Sequence, residues 1–225
     1  MTQQQMKIAA ARIALEHVRS GMSLGLGSGS TSNEFVKLLG EAMREGRLRD
    51  VRCTCTSVKT ESLAKSVGIE VSSLADMAPL DLAIDGADEI DSQLRLIKGH
   101  GGALLREKIV EQSAKRFIVI ADESKVVTRL GQGPLPVEVT PFAVEVVLGR
   151  LQRFSPQLRM REGAPFITDE QHRILDIRIA DDPRDIDEVV AEIRRIAGVV
   201  DTGYFPFEAS EAIVAGAEGV RSLRR

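Results

Sequence analysis

The chain has 225 residues, 43% hydrophobic and 28% charged, with a formal net charge of −3 at pH 7. These are ordinary values for a globular protein of one or two domains. The absence of a basic excess, with aromatics at 4% and no Trp, argues against a nucleic-acid partner. No apolar run approaches the ~20 residues of a membrane span. The opening MTQQQMK lacks the apolar stretch of a signal peptide, so the expected location is the cytoplasm.

Residues 3–20 carry Ile8, Ala11, Leu15 and Val18 at helical spacing, with Gly21 as the stop. Residues 22–26 read as a strand, Gly27-Ser28-Gly29-Ser30-Thr31-Ser32 as a loop, and 34–43 as a helix. A strand, a loop of glycines and hydroxyls and a helix have the layout of an anion cradle, because loop N–H groups and hydroxyls bind phosphate oxygens. No Gly-Lys-Ser/Thr follows, and Gly25, Gly27 and Gly29 alternate, so this is neither a P-loop nor a dinucleotide fingerprint. A plain βα turn with a Ser or Thr cap accounts for the same residues equally well.

Residues 51–56 read as a strand and 57–67 as a helix. Cys53 and Cys55 share one face of that strand, at a spacing poor for a disulfide or a zinc site, and are expected as thiols. Residues 68–71 and 80–84 are further extended pieces. Strands alternating with helices imply βαβ units on a parallel sheet.

Asp85–Lys108 is the densest stretch, with five acids, four lysines and arginines and a glycine cluster. Carboxylates move protons, a lysine holds an anion, and a helix N-terminus holds another. In open α/β sheets ligands bind beyond the carboxyl ends of strands, so the Ser28 loop and Asp85 are expected at one edge. Residues 94–97 read as extended, 102–114 as a helix carrying Arg106, Glu107 and Lys108, and 116–121 as a strand ending in Asp122-Glu123-Ser124-Lys125. Glu89 and Asp91 read as surface acids, Asp122 as a turn cap.

Gly131–Pro136 has the composition of a linker. Beyond it the pattern gives a strand (137–140), a helix (142–153), strands at 158–161 and 173–179, a helix (185–196) and a strand (199–204). That βαββαβ order is ferredoxin-like. Residues 212–215 are a last strand of the first domain. The expected fold is α/β: a Rossmann-like parallel-sheet domain of residues 1–130 plus 206–225, and a smaller ferredoxin-like α+β domain of residues 131–205.

Four motifs, GLGSGST (25–31), DGADEI (85–90), KGHGGALLREK (98–108) and ADESK (121–125), in this order and spacing, resemble ribose-5-phosphate isomerases of the A type. The resemblance runs over nearly the whole chain. It implies interconversion of ribose 5-phosphate and ribulose 5-phosphate through an enediolate, with no metal or cofactor, in a homodimer or homotetramer. It also implies Glu107 as the base, with Asp85, Asp88 and Lys98 completing the catalytic group. Substrate contacts are implied for Ser28, Gly29, Ser30, Thr31, Asp85, Gly86, Ala87, Asp88, Lys98, Gly99, His100, Gly101 and Lys125.

The residue types suit that chemistry. One carboxylate can carry a proton between adjacent carbons when burial and neighbouring acids raise its pKa toward working pH. A fixed ammonium favours the enediolate over the substrate. His100 stands where the family pattern has Gly and reads as a substitution whose backbone N–H stays in use. Ser28 in place of Thr keeps the hydroxyl. Leu105 and residues 203–207, with the only tyrosine, Tyr204, also depart from the pattern. A sugar-phosphate sensor on the same fold is the competing reading, and it has no need of Glu107 with Asp85, Asp88 and Lys98.

Overall fold

The computed structural model describes residues 1–206 and 209–224. From the N-terminus run α1 (Gln3–Leu15), β1 (Ser23–Leu26), α2 (Ser30–Arg44), β2 (Arg52–Cys55), α3 (Val58–Ser66) and β3 (Leu82–Asp85). A short hairpin, β4 (Glu89–Ile90) and β5 (Leu96–Ile97), precedes α4 (Leu104–Gln112) and β6 (Phe117–Asp122). Then come β7 (Leu135–Val139), α5 (Val144–Arg150), β8 (Gln157–Leu158), β9 (Met160–Arg161), β10 (Ala164–Pro165) and β11 (Arg173–Ile177). The chain continues through α6 (Ile186–Ile193), β12 (Val199–Thr202), β13 (Tyr204–Phe205), β14 (Glu211–Gly216) and β15 (Gly219–Arg224). Two compact units result, one of residues 1–87, 106–126 and 207–225, the other of 88–105 and 127–206. The sequence reading puts 88–105 with the larger domain. They group instead with the smaller unit, because β4, β5 and β13 form one antiparallel sheet there.

The first unit is built on a six-stranded sheet in the order β15-β14-β6-β3-β1-β2, parallel except for the β14–β15 hairpin. All four residues of β1 are buried, as expected of a central strand covered on both faces. Gly25 pairs with Thr54 on one side and Ala83 on the other. A methyl on Gly25 would come 2.6 Å from Val110, so glycine sets how closely α4 packs on this strand. Leu24, Leu26, Phe35, Val36, Leu39, Ile84, Ile118 and Ile120 form the core, with Ala10, Ala11 and Ala14 of α1 giving close helix–sheet approach. From β1 the chain steps outward to β2, then returns past β1 to β3. The strand order therefore reverses between β1 and β3, the place where open α/β sheets bind ligands.

Two boundaries differ from the sequence reading. Helix α2 begins at Ser30 rather than 34, so Ser30, Thr31 and Ser32 form its first turn. Helix α1 stops at Leu15, though Val18 remains in the core. Strand β15, all but one of whose residues are exposed, has too little apolar alternation to be read.

The second unit carries a four-stranded sheet in the order β12-β7-β11-β8, antiparallel throughout, the ferredoxin-like arrangement. Val137, Val139, Val147, Leu151, Phe154, Leu175, Ile177, Val189 and Ile193 fill its core. The predicted helix 142–153 is shorter, flanked by 3₁₀ turns at 141–143 and 152–154. The predicted strand 199–204 breaks at Gly203, where a methyl would lie 2.2 Å from the Lys98 carbonyl oxygen; Tyr204 and Phe205 then pair with β5 in a separate sheet. Of the divergent segment 203–207, Phe207 lies outside the described residues. Among the described residues no helix is long and apolar enough to cross a membrane.

Cys53 is buried and Cys55 half-buried in β2, both as free thiols. Burial pushes each thiol up to about 12. Only the thiolate is nucleophilic, so neither cysteine should react appreciably with iodoacetamide at pH 8 in the folded protein. Both should react on addition of denaturant, as peptide mass mapping would show.

Candidate active site

In the first unit, candidate side chains gather at the carboxyl ends of β1 and β3. Asp85, the last residue of β3, is 1% exposed. Its Oδ1 accepts hydrogen bonds from the Ser32 hydroxyl at 2.8 Å and from the Gly86 N–H at 2.6 Å. The Gly86 N–H also reaches Ser32 Oγ at 3.0 Å. Opposite sits Gly27, where a methyl would lie 2.0 Å from the Asp85 carboxyl carbon. The glycine there makes room for an acid, with its own N–H bonded to Ile84 O at 2.9 Å.

Gly29 follows with φ +115, a backbone region that favours glycine, and serves as the N-cap of α2 without a side-chain cap. The first N–H groups of a helix lack intrahelical acceptors and carry the positive end of its dipole. The turn beginning at Ser30 is therefore suited to an anion. Ser28 is placed differently. Its hydroxyl lies 2.7 Å from Thr56 Oγ1, 2.7 Å from Ser57 Oγ and 2.9 Å from Thr60 Oγ1, and Thr60 bonds back to Gly27 O. This hydroxyl network ties the β1 loop to the N-terminus of α3.

Helix α4 presents Glu107, Lys108 and Glu111 on its buried side. Glu107 is 4% exposed. An acid between Arg and Lys on a helix is ordinarily solvated, so its burial is a strong departure. At the end of β6, Asp122 accepts from the Ser124 N–H and hydroxyl, capping the short turn that carries the half-buried Lys125.

Within the second unit lie Asp88, Lys98 and the Gly99–Gly101 loop. Asp88 Oδ2 accepts the His100 backbone N–H at 2.9 Å. The His100 ring lies between Asp88 Oδ1, 3.5 Å from Nδ1, and the Pro134 carbonyl, 2.9 Å from Nε2. Lys98 is 2% exposed. Its ammonium lies 5.6 Å above the centre of the Phe205 ring, and its N–H bonds Gly203 O at 2.8 Å. Gly99 turns with φ +97.

The structure thus brings Asp85 and the start of α2 together in one unit, and Asp88 with His100 in the other. Sequence reasoning missed two residues that hold these groups and misplaced two acids. Ser32 fixes Asp85; the available signal was a hydroxyl in step with Phe35, Val36 and Leu39 on an apolar face. Arg159 donates to the carbonyls of Gly99 and His100, with no signal in its neighbourhood. Glu89, expected at the surface, is buried. It accepts the N–H groups of Gly131 (2.6 Å), Gln132 (3.3 Å) and Gly133 (2.5 Å). Asp91, likewise expected at the surface, is buried and holds the N–H groups of Gln93 and Arg95 and the Arg95 guanidinium. Among the described residues no three His, Cys, Asp or Glu side chains gather as metal ligands would.

Comparison with known proteins gives a consistent result. Residues 52–219 match the family model of ribose 5-phosphate isomerase A (phosphoriboisomerase A). Ribose-5-phosphate isomerase A of Sinorhizobium medicae is 48% identical over 100% of this chain and 99% of its own length. A D-ribose-5-phosphate isomerase solved in complex with phospho-erythronic acid superposes with a TM-score of 0.94 at 40% identity, covering 100% of both chains. The ribose 5-phosphate isomerase of Plasmodium falciparum does so with a TM-score of 0.94 at 36% identity, covering 99% of both.

Two substitutions test how Asp85 is held. Gly27→Ala should cost about 1–3 kcal/mol through overpacking against the carboxyl group. Ser32→Ala should cost about 1–3 kcal/mol by taking a donor from the buried Asp85 oxygen and an acceptor from the Gly86 N–H. Urea unfolding curves measure both.

Proposed function

This chain belongs to the ribose 5-phosphate isomerase A family, and we propose that Glu107 is the base of its reaction. The activity is that of an aldose–ketose isomerase interconverting D-ribose 5-phosphate and D-ribulose 5-phosphate. The observation that carries the proposal is the burial of the Glu107 carboxylate within the R-E-K turn of α4.

In the open-chain aldose the carbonyl is at C1 and the acidic hydrogen at C2. Glu107 takes the C2 proton, leaving an enediolate, and returns it to C1. The hydroxyl proton moves from O2 to O1, a transfer assigned to Asp85 and Asp88. No atom is gained or lost. The enediolate carries negative charge on oxygen, and Lys98 is assigned to it. An ammonium held in place, already out of bulk water, stabilises that charge more than the neutral carbonyl before it. The start of α2, with Ser28, Gly29, Ser30 and Thr31, and Lys125 are assigned to substrate binding. So are Gly86, Ala87, Gly99, His100 and Gly101. These groups supply the whole proton inventory, so the reading needs no metal. A homodimer or homotetramer is proposed as the assembly, to be read by light scattering.

Glu107→Gln should lower kcat by ~10²–10⁴-fold while KM for ribose 5-phosphate stays within a few-fold of wild type. Wild-type turnover should persist in excess chelator. Phospho-erythronic acid, bound by a relative 40% identical, should inhibit both conversions competitively. Near-normal turnover by the Gln variant would remove Glu107 from the role.

A further inference from the structure

We infer that Arg159 is a positioning residue, whose guanidinium sets the peptide planes of the Gly99-His100-Gly101 loop. The inference rests on the reading that this loop serves the isomerase reaction.

The guanidinium is anchored at one end and occupied at the other, all within the second unit. Arg159 lies between β8 and β9, with its N–H bonded to Ile174 O and its O accepting from Phe166 N, both at 2.8 Å. Its Nε donates to Asp176 Oδ2 at 2.8 Å and its Nη2 to Asp176 Oδ1. That is the bidentate fork in which Arg is geometrically fixed. Asp176 sits on β11, registered against Pro136 of β7 and Gln157 of β8, so the carboxylate is itself held by the sheet. The remaining nitrogen, Nη1, donates to Gly99 O at 2.8 Å and to His100 O at 3.2 Å.

Two successive carbonyls turned toward one cation fix two successive peptide planes. In a trans peptide the C=O and the following N–H point opposite ways. Drawing Gly99 O toward Arg159 therefore sends the His100 N–H the other way, where it meets Asp88 Oδ2 at 2.9 Å. Drawing His100 O toward Arg159 turns the Gly101 N–H away in the same manner. Gly99 permits the turn at φ +97. The apolar side of the brace is Phe166, which packs with Leu104 and Ile174 and would meet a methyl on Gly102 at 2.4 Å. The hairpin β9–β10 has no part in the hydrophobic core of the four-stranded sheet, and supporting this loop accounts for the residues at its two ends.

A neutral or shorter side chain at 159 leaves the loop its sequence but not its peptide orientation. Displacement of a catalytic group by about 1 Å costs on the order of 10²-fold in rate. The test uses full-length Arg159→Ala, Arg159→Lys and Asp176→Asn, with Lys98→Met as a control for the loop's role. Each is assayed for kcat and KM, with melting temperature and amide exchange of the peptide containing His100. Expected are a kcat loss of roughly 10–100-fold in Arg159→Ala, a smaller loss in Asp176→Asn, and faster exchange at His100. Millimolar guanidinium should restore part of the kcat of Arg159→Ala but not that of Lys98→Met, which a merely structural role would not produce. Wild-type kcat in Arg159→Lys and Asp176→Asn, both folded, overturns the inference even if Arg159→Ala does not fold. So does a kcat loss in Arg159→Ala that guanidinium leaves unchanged. Lys98→Met with full turnover would overturn instead the catalytic reading of the loop.

Discussion

The first unit depends on accommodating one buried carboxylate. Asp85 ends a central strand with almost no exposure, and an acid in that position is costly unless its oxygens are hydrogen-bonded. Three features answer that demand at Oδ1. Gly27 vacates the space a side chain would fill, Ser32 supplies a hydroxyl from α2, and the turn after Asp85 folds the Gly86 N–H back onto the same oxygen. Each constrains its neighbours. The Gly27 loop passes close to β3 because β1 and β3 are paired in parallel, and α2 starts early enough for Ser32 to face inward.

The second unit uses charge differently. Glu89 and Arg159 both reach backbone groups: Glu89 collects three successive N–H groups from the 131–133 loop, and Arg159, paired with Asp176, collects two carbonyls from the 99–100 loop. Irregular segments have no ladder to satisfy their peptide groups, and one charged side chain at the centre of several of them fixes a conformation that local sequence would leave open. Charge-assisted bonds suit this work because they are stronger than neutral ones. His100 links the two loops by donating its N–H to Asp88 and placing its ring against the Pro134 carbonyl. A glycine at 100 would keep the first contact and lose the second.

How much was legible follows from where each signal resides. The parallel sheet and the βαββαβ unit were readable because strand and helix periodicities are local. Asp85 at the end of β3 and Glu107 within α4 lie on the elements expected of them, because their motifs sit at predicted strand and helix ends. The start of α2 was not readable, because Ser30, Thr31 and Ser32 favour turns in isolation; burial of Ser32 against Asp85 overrides that preference. Glu89 and Asp91 were misread because their acceptor role is defined by a loop forty residues away and by a tight turn around Arg95. Arg159 was invisible for the same reason, since its partners at 99, 100 and 176 leave no trace at 159. Local rules pointed to the candidate residues, while the residues that hold them in place are non-local.

The charged face of α4 is not an arrangement that stability alone favours. Glu107, Lys108 and Glu111 occupy neighbouring turns of a nine-residue helix and are all buried. Burying an ionised group costs several kcal/mol before any compensation, and even well-paired buried ions are often no more stable than apolar side chains of equal size. Leu or Met at these sites would suit helix propensity and packing equally well. A chain shaped by stability alone has little reason to place three charges there. A chain that must hold a proton-transfer group out of bulk water has one, because exclusion of water strengthens each electrostatic interaction with a reacting centre. The same reasoning covers Asp85 and Lys98, and it separates this chain from a sugar-phosphate sensor. Recognition alone needs hydroxyls, amides and a helix terminus, and it leaves the buried carboxyl group of Glu107 without a purpose.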